Sequence, residues 1–249
     1  MTAKDTETRL DRSSWLDQLD DVSALRVMLH SHAEAMTAID AALPQIEAAV
    51  AAMVAQLGNG TGRIIYAGAG TAIRIGVQDG VELRPTFDWP RARVEYLVAG
   101  GRGALMDAVE NAEDDADAAV RAVGDMDVGP VDTVLAISAS GKTPFTCAAA
   151  ATARDAGALT IGLFNNAGAP LADAVGIGIP LLTGAEAVAG STRLKAGTAQ
   201  KACLNMISTL VMTRLGFVRD GQMTAMRPSN AKLRARFEAI HRPGGEPES

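Results

Sequence analysis

Five apolar runs along the chain predict five β-strands. The runs cover Arg63 to Ala67, Val94 to Val98, Val134 to Ser138, Leu159 to Phe164 and Ile177 to Leu182. Strands that are apolar on both alternate faces are typical of a parallel sheet covered by helices. The segments between them carry apolar residues at helical spacing. The pattern therefore predicts an α/β fold, a doubly wound parallel sheet sandwiched by helices.

Helical spacing of apolar residues predicts the covering helices. They extend over Ala33 to Leu57, Ala72 to Gly80, Ala104 to Val123, Pro144 to Ala156 and Ala196 to Leu215. Pro44 is expected to kink or split the first of them, because proline removes a helix hydrogen bond. This helix precedes every strand, so we expect it to form a helical cover at the N-terminal side.

The chain of 249 residues is long enough to bury a complete core in a single domain. We expect that domain to cover residues 13–241. Residues 1–12 are polar, and residues 242–249 are polar and rich in proline and glycine. Both ends are therefore predicted to be mobile.

Composition disfavours several classes of function. A net charge of -6 and an aromatic content of 4% argue against nucleic-acid binding, which needs a basic surface and often stacking side chains. No window reaches the roughly 18 apolar residues of a membrane span, and no apolar signal region follows Met1. Cys147 and Cys203 lack metal-ligand spacing and are interpreted as reduced core residues. We expect a cytoplasmic protein with no membrane partner.

Three loops with glycine and hydroxyl residues follow predicted strands or enter a helix: Gly68 to Thr71, Ser138 to Pro144, and Gly190 to Thr192. Ligands of doubly wound sheets bind beyond the carboxyl ends of the strands. The second loop offers hydroxyls and a helix N-terminus, which suit a phosphomonoester. The same residue types are equally typical of an ordinary helix cap, so both interpretations stay open here.

Two familiar nucleotide motifs are incomplete. In the first loop, Ile73 stands where a dinucleotide-binding fingerprint needs its third glycine. In the second loop, Ala136 stands where the first glycine of a Walker-type loop is required. The sequence therefore disfavours nicotinamide and nucleoside triphosphate sites.

Two glutamates are candidates for acid-base chemistry. Glu82 lies in a stretch predicted to be irregular after a short helix, and Glu113 lies on a predicted helix or at its break. A pair of carboxyl groups near a phosphate site can serve as general acid and general base. Acidic runs on helices are more often solvated faces, and the pattern alone does not distinguish Glu113 from Glu110 or Asp114.

A family resemblance rests on several motifs taken together. They are Arg63 to Thr71, Glu82 with Pro85-Thr86-Phe87, Ala99-Gly100-Gly101, Glu110 to Asp115, Ser138 to Pro144, and the long block Gly190 to Lys201. With these motifs the chain resembles the sugar-isomerase (SIS) domain proteins of the N-acetylmuramic acid 6-phosphate etherase family, which are related to the glucokinase regulatory protein. The resemblance extends from about Leu16 to Arg234.

The resemblance implies a lyase of amino-sugar metabolism and cell-wall recycling. Such an enzyme removes D-lactate from N-acetylmuramic acid 6-phosphate and leaves N-acetylglucosamine 6-phosphate. It implies no metal or organic cofactor, and a homodimer with active sites near the subunit boundary. By resemblance, Glu113 is the base and Glu82 the acid. The implied substrate- and phosphate-binding residues are Gly70, Thr71, Arg74, Ser138, Ser140, Gly141, Lys142, Thr143, Ser191, Thr192 and Lys195.

Several positions depart from the family pattern, including Gly80 and Val81, which replace an alanine and a serine before Glu82. Ala72 and Ile73 replace a serine and a glycine, and Lys142 replaces an arginine. The change at Ala72 is expected to remove a hydroxyl that touches the ligand, and the change at Ile73 to narrow the sugar pocket. Two further functions stay open: a sugar-phosphate-binding regulator without turnover, suggested by these changes and a shorter C-terminus, and an aldose-ketose phosphosugar isomerase.

Overall fold

The computed structural model describes residues 5–58, 60–107 and 109–224. Helices and strands alternate through most of this part of the chain. In chain order the elements are α1 (Asp21–Ala41), α2 (Leu43–Leu57), β1 (Ile64–Gly68), α3 (Gly70–Phe87), β2 (Val94–Val98), α4 (Ala116–Asp125), β3 (Thr133–Ile137), α5 (Pro144–Asp155), β4 (Leu159–Phe164), α6 (Pro170–Ala174), β5 (Ile177–Pro180), α7 (Lys195–Arg214), β6 (Val218–Arg219) and β7 (Gln222–Met223).

The central sheet has five parallel strands in the order β2-β1-β3-β4-β5. The predicted doubly wound α/β fold is therefore confirmed, and every predicted strand is present with its ends displaced by at most two residues. The strand order reverses between β1 and β3, because β2 lies on one side of β1 and β3 on the other. This reversal opens a crevice at the carboxyl ends of β1 and β3, where such folds bind ligands.

Helices cover both faces of the sheet. On one face α2, α3 and α7 pack against the strands, and α1 lies outside them against α7. On the other face α4, α5 and α6 form the second layer. All five residues of β1 and of β3 are buried, as expected for strands covered on both sides. Each large apolar side chain buried in this way contributes about 1.5–3 kcal/mol.

The helical cover at the N-terminal side consists of two helices. The sequence predicted one helix from Ala33, whereas α1 begins at Asp21 and ends at Ala41. Asp20 caps α1 by accepting a hydrogen bond from the Ser23 amide at 3.0 Å. The axis then bends by 61° into α2, where Pro44 occupies the first turn. Proline is tolerated there because a first-turn amide has no helix partner to lose.

Two other helix predictions were wrong in extent. The helix predicted from Ala72 to Gly80 begins at Gly70 and extends to Phe87; Pro85 lies in its last turn, and Asp88 ends it in a left-handed conformation. The helix predicted from Ala104 to Val123 is present only from Ala116 to Asp125. Before it, Asn111 adopts a left-handed conformation, and Asp115 caps the helix through the Ala118 amide at 2.8 Å.

Several predictions concern the ends of the chain. Thr6, in the segment predicted to be mobile, is fully buried. Residues 242–249 lie outside the described residues. Within the described part, no single helix is long and apolar enough to cross a membrane, and only the bent pair of α1 and α2 reaches the required length and composition together. Apolar residues of α2, including Ile46, Val50 and Met53, belong to the core.

Candidate active site

Two loops leave neighbouring strands side by side. Gly68 at the end of β1 pairs in register with Ile137 at the end of β3. A side chain at Gly68 would place its Cβ 2.7 Å from the Ile137 carbonyl oxygen, so only glycine allows this approach. The loops that follow, which contain Gly70 and Ser138, are therefore separated by about one strand spacing, or ~5 Å.

The loop after β3 gathers three hydroxyl groups, and we call residues 138–143 the hydroxyl loop. The Ser138 Oγ lies 2.9 Å from the Thr143 Oγ1 and 3.4 Å from the Ser140 Oγ. Ser138 also accepts a hydrogen bond from the Gly141 amide at 3.0 Å, and Ser140 accepts one from the Lys142 amide at 3.1 Å. The three predicted hydroxyls are thus brought together in one cluster.

Glycine is required inside the hydroxyl loop. Gly141 has a φ of 65°, and a Cβ on it would lie 2.4 Å from the Ala169 Cβ. This tight turn leads directly into α5, whose N-cap is Thr143. The Thr143 side chain makes no capping hydrogen bond, so it leaves the first-turn amides of α5 to other acceptors. Uncapped amides at a helix N-terminus attract anions.

A cavity of about 270 Å³ borders the loop after β1, and we call it the glutamate cavity. Its lining residues are Ala69, Gly70, Arg74, Ala99, Ala104, Val109, Glu110, Asn111, Ala112 and Glu113. The lining includes Glu113 and Glu110 but not Asp114, which narrows the choice that the sequence left open. Gly70, with a φ of 53°, begins α3 at the edge of this cavity.

Two features hold the segment that carries Glu113 against the sheet. The Arg74 guanidinium donates hydrogen bonds to the carbonyl oxygens of Leu105, at 2.8 Å, and Ala104, at 2.9 Å. Gly100 permits close packing, because a Cβ there would lie 2.9 Å from the Val109 Cβ. Arg74 therefore positions the loop and also presents a cation to the glutamate cavity.

Glu82 does not line the glutamate cavity of its own chain. It lies on α3, rather than in the irregular stretch that the sequence predicted, and its side chain is exposed. Twelve residues of helix separate it from Gly70, which corresponds to ~18 Å along the axis. Within one chain, Glu82 and Glu113 are therefore not brought together at the glutamate cavity.

The third loop is organised by a buried carboxylate that sequence reasoning missed. Glu186 is fully buried and accepts hydrogen bonds from the amides of Lys195, at 3.0 Å, and Ala196, at 2.8 Å. It caps α7 and stabilises the partial positive charge at that helix end. Ser191 and Thr192, both partly buried, form the preceding turn.

Lys195 is engaged inside the protein. Its side chain is 3% exposed, and its Nζ donates to the Glu34 Oε2 on α1 at 2.6 Å. Lys195 belongs to neither the glutamate cavity nor the hydroxyl loop. The structure therefore shows an ion pair between α1 and α7 where the resemblance implied a ligand contact.

A segment near the N-terminus crosses the carboxyl end of the sheet. The Thr6 amide donates to the Asn166 Oδ1 at 3.0 Å, and the Thr6 carbonyl accepts from the Gly190 amide at 2.9 Å. Hydrogen bonds from Thr8, together with weaker effects that include the positive charge of Lys142, lower the pKa of Asp5. The segment therefore connects the loop after β4, which carries Asn166, to the third loop.

The two departures in the loop after β1 do not have equal consequences. Ile73 is 1% exposed and belongs to the core, so the expectation that it narrows a sugar pocket is wrong. Its Cβ lies 3.4 Å from the position of a Cβ on Gly68, beneath the sheet edge. Ala72 is 8% exposed and lacks a hydroxyl, so this chain offers no donor there.

Comparison with known proteins decides the family. The N-acetylmuramic acid 6-phosphate etherase of Deinococcus radiodurans is 47% identical over 236 residues, which cover 94% of this chain and 77% of the relative. The etherase of Mycolicibacterium smegmatis is 41% identical and covers 100% of this chain and 84% of the relative. The chain belongs to the N-acetylmuramic acid 6-phosphate etherase family. A family model described as the glucokinase regulatory protein N-terminal SIS domain also matches residues 45–153.

Solved structures agree with the fold of this etherase-family chain. A phosphoheptose isomerase from Francisella tularensis has a TM-score of 0.62 at 19% identity, covering 78% of this chain and 100% of that chain. The sugar isomerase domain of an RpiR transcription factor from Sphaerobacter thermophilus has a TM-score of 0.52 at 18% identity, covering 75% and 89%. At these identities, the similarities bear only on the fold of the etherase-family chain.

Sequence reasoning overlooked a buried polar network in this etherase-family chain. Asp79 is 2% exposed and accepts hydrogen bonds from the Tyr66 hydroxyl at 2.8 Å, the Asn205 Nδ2 at 2.7 Å and the Ser208 Oγ at 3.1 Å. Burial, and then the charge of Asp79, raise the pKa of Tyr66 well above its usual value. The available signal was the position of Asp79, four residues before Leu83 on the buried face of α3.

Proposed function

We propose that this chain cleaves the D-lactyl ether of N-acetylmuramic acid 6-phosphate and releases N-acetylglucosamine 6-phosphate. The observation that carries the proposal is the juxtaposition of the hydroxyl loop and the glutamate cavity at the reversal point of the sheet, in a chain of the etherase family. The hydroxyl loop would hold the 6-phosphate through Ser138, Ser140 and Thr143 and the amides that begin α5. Lys142 adds positive charge within this loop, and Arg74 adds it at the neighbouring glutamate cavity.

The proposed chemistry is an elimination followed by addition of water. The sugar opens to its aldehyde, and the Glu113 carboxylate removes the proton on C2, which the neighbouring carbonyl acidifies. The bond between C3 and the ether oxygen then breaks, and Glu82 donates a proton to the departing lactate. Water adds across the new double bond, with its hydroxyl on C3 and a proton returned to C2. General acid and base groups of this kind typically contribute 10²–10⁴-fold each.

We further propose that the active enzyme is a homodimer. Exposed apolar side chains form one stripe on α1, made of Val22, Leu25, Leu29 and Met36, and the adjoining α7 exposes Met206 and Leu210. Val81, next to Glu82, is also exposed, at 52%. Exposed apolar side chains that lie together on a folded chain are typical of an interface. A second copy docked here would supply the Glu82 that the glutamate cavity lacks within one chain.

We propose that this activity is cytoplasmic. Cys147 and Cys203 are both free thiols. Unpaired cysteines fit a reducing compartment better than an oxidising one.

The first experiment measures D-lactate release. Purified protein and N-acetylmuramic acid 6-phosphate are incubated together, and the lactate is quantified with a D-lactate dehydrogenase. We expect stoichiometric formation of lactate and N-acetylglucosamine 6-phosphate. An etherase from a curated relative is the positive control. Absence of lactate under conditions in which that control is active would reject the proposal.

The second experiment tests whether two chains share a site. Glu82→Gln and Glu113→Gln chains are each purified, then mixed, unfolded and refolded together. If each site takes one glutamate from each chain, about half of the dimers are mixed and carry one complete site. Activity should then return to about a quarter of the wild-type value. If activity returns neither in the refolded mixture nor on co-expression of the two variants, each site takes both glutamates from the same chain.

A further inference from the structure

A second cavity also borders the first turns of α3, and we call it the lysine cavity. Its volume is about 450 Å³, and its lining includes Thr71, Arg193, Thr198, Lys201 and Asn205. Thr71 follows Gly70 directly, so the two cavities border adjacent residues at the start of α3. They differ in charge: the glutamate cavity contains two carboxylates and one guanidinium, whereas the lysine cavity contains one guanidinium and one ammonium.

The lysine cavity suits an anion. The described residues that line it include two cations, Arg193 and Lys201, and no carboxylate. This is unusual in a chain with a net charge of -6. Two cations that share a cavity repel each other unless an anion lies between them. The arrangement is therefore more favourable with a bound anion than without one.

Buried groups hold Lys201 in place. The Lys201 Nζ donates a hydrogen bond to the Asn205 Oδ1, and the Asn205 Nδ2 donates to the buried Asp79 carboxylate at 2.7 Å. Tyr66 and Ser208 donate to the same carboxylate and fix its orientation. An ammonium has three donors, and the bond to Asn205 uses one of them. The remaining donors are thus positioned in advance for a ligand, which lowers the entropic cost of binding.

The opposite wall of the lysine cavity is ordered as well. The Thr198 hydroxyl donates to the Leu194 carbonyl at 3.0 Å and lies 2.9 Å from the His32 Nδ1. Gly197 allows α3 and α7 to approach, because a Cβ there would lie 3.3 Å from the Ile75 Cδ1. The Arg193 guanidinium is exposed at the cavity, and its planar donors match a carboxylate in a bidentate arrangement.

We propose that Lys201 and Arg193 bind the carboxylate of the lactyl group and so determine the specificity for muramyl over glucosaminyl phosphates. This inference rests on the proposed function, because that substrate carries two anions, a phosphate and a carboxylate. The hydroxyl loop takes the first anion, and the lysine cavity takes the second. The product N-acetylglucosamine 6-phosphate has no carboxylate, so it gains nothing from the lysine cavity and is released more readily.

The test compares three ligands on three variants. Calorimetry gives the affinities of the three ligands. They are N-acetylglucosamine 6-phosphate, N-acetylmuramic acid 6-phosphate with its free lactyl carboxylate, and the same compound with that carboxylate converted to the amide. Glu113→Gln is included in every protein to prevent turnover during the titration. The variants are Lys201→Gln, Arg193→Gln and the control Arg214→Gln, which removes an exposed cation at the far end of α7.

We expect Lys201→Gln and Arg193→Gln each to weaken binding of the free carboxylate ligand by about 10- to 100-fold, the usual effect of losing a hydrogen bond to a charged group. Binding of the amide ligand and of N-acetylglucosamine 6-phosphate should change less than about 3-fold, since neither carries that charge. Arg214→Gln should change none of the three affinities. Thermal unfolding of each variant checks that α7 remains folded.

Two results would overturn the inference. One is an equal loss of affinity for all ligands in Lys201→Gln and Arg193→Gln, which would indicate a role in packing or in phosphate binding. The other is equal affinity for the free carboxylate ligand and the amide ligand in the protein that retains both Lys201 and Arg193. Failure of the etherase activity is a separate outcome: absence of lactate release together with a selective loss of carboxylate binding would leave the subsite in place and reject the proposed reaction.

Discussion

The two ends of the sheet use polar groups in opposite ways. At the amino end, Arg63 directs its side-chain donors to the Asp132 carboxylate, at 3.0 and 2.6 Å, and to the carbonyls of Met126, at 3.0 Å, and Asp127, at 2.9 Å. Asp132 also accepts the amides of Arg63 and Gly129. At the carboxyl end, the hydroxyls of the hydroxyl loop contact one another and accept the amides of Gly141 and Lys142, and the side chain of Thr143 caps no amide.

This difference separates stabilisation from binding. A polar network in which the charged groups bond to one another and to backbone carbonyls leaves few donors for a ligand, and it ties β1 to β3 and to the segment before β3. Burial alone would raise the pKa of Asp132, but the hydrogen bonds from Arg63 and Gly129 outweigh it and lower that pKa. A cluster of hydroxyls at a helix N-terminus keeps donors for an anion. The following predictions test this separation, beginning with the largest effect.

Replacing Glu113 by glutamine should have the largest effect on activity and almost none on stability. We expect the rate of lactate release to fall by about 10²–10⁴-fold, because the amide cannot accept the C2 proton. Steady-state kinetics measures the fall. The matched control is Asp114→Asn, which removes a neighbouring carboxylate that does not line the glutamate cavity. Similar losses in both variants would contradict the assignment of Glu113.

Replacing Asp132 by asparagine should lower stability and leave substrate binding unchanged. We expect the free energy of unfolding to fall by about 3 kcal/mol, because Arg63 would lose its counter-ion while the Asp132 side chain is 3% exposed. Urea denaturation gives this value. The variant that remains folded should keep the wild-type KM for the phosphosugar. A raised KM would show that the amino end of the sheet also influences binding.

Replacing Ser138 by alanine should weaken phosphate binding. We expect KM to rise by about 10- to 100-fold, the usual loss for one hydrogen bond to a charged ligand. Calorimetry with N-acetylglucosamine 6-phosphate should show the same factor, since the phosphate is common to both ligands. Thr146→Ser, in the first turn of α5, keeps its hydroxyl and is the control within the same helix. An unchanged affinity in Ser138→Ala would exclude a phosphate contact at this hydroxyl.

Acid should remove the stabilisation at the amino end gradually. The folded-state pKa of Asp132 lies below its ordinary value of 3.8, so its contribution is present above that pH and is lost as the pH falls through the folded-state value. We expect the stability difference between wild type and Asp132→Asn to be constant from pH 7 to about 5 and to shrink below pH 4. Urea midpoints at several pH values measure it. A difference that grows in acid would have the wrong sign.

The strands and loops of the site were predictable because their signals are local. A buried parallel strand is a continuous apolar run, and a loop that turns tightly from it into a helix favours glycine and hydroxyl residues. Ser138 to Thr143 met both conditions, and the structure brings their hydroxyls together. The position of Glu82 was not predictable in this way, because Pro85 suggested an irregular stretch whereas it occupies the last turn of α3.

The sequence by itself determined the α/β fold, the order of strands along the chain and the loop that gathers three hydroxyls. Tertiary structure alone decided which charged groups meet. Lys195 pairs with Glu34, 161 positions away, and Asp79 accepts from Asn205, 126 positions away. No local pattern encodes such contacts, since they depend on how α1, α3 and α7 pack together on one face of the sheet. That packing leaves Lys201 and Arg193 at a cavity. Along α3, Glu82 lies twelve residues from Gly70, which borders the cavity that Glu113 lines.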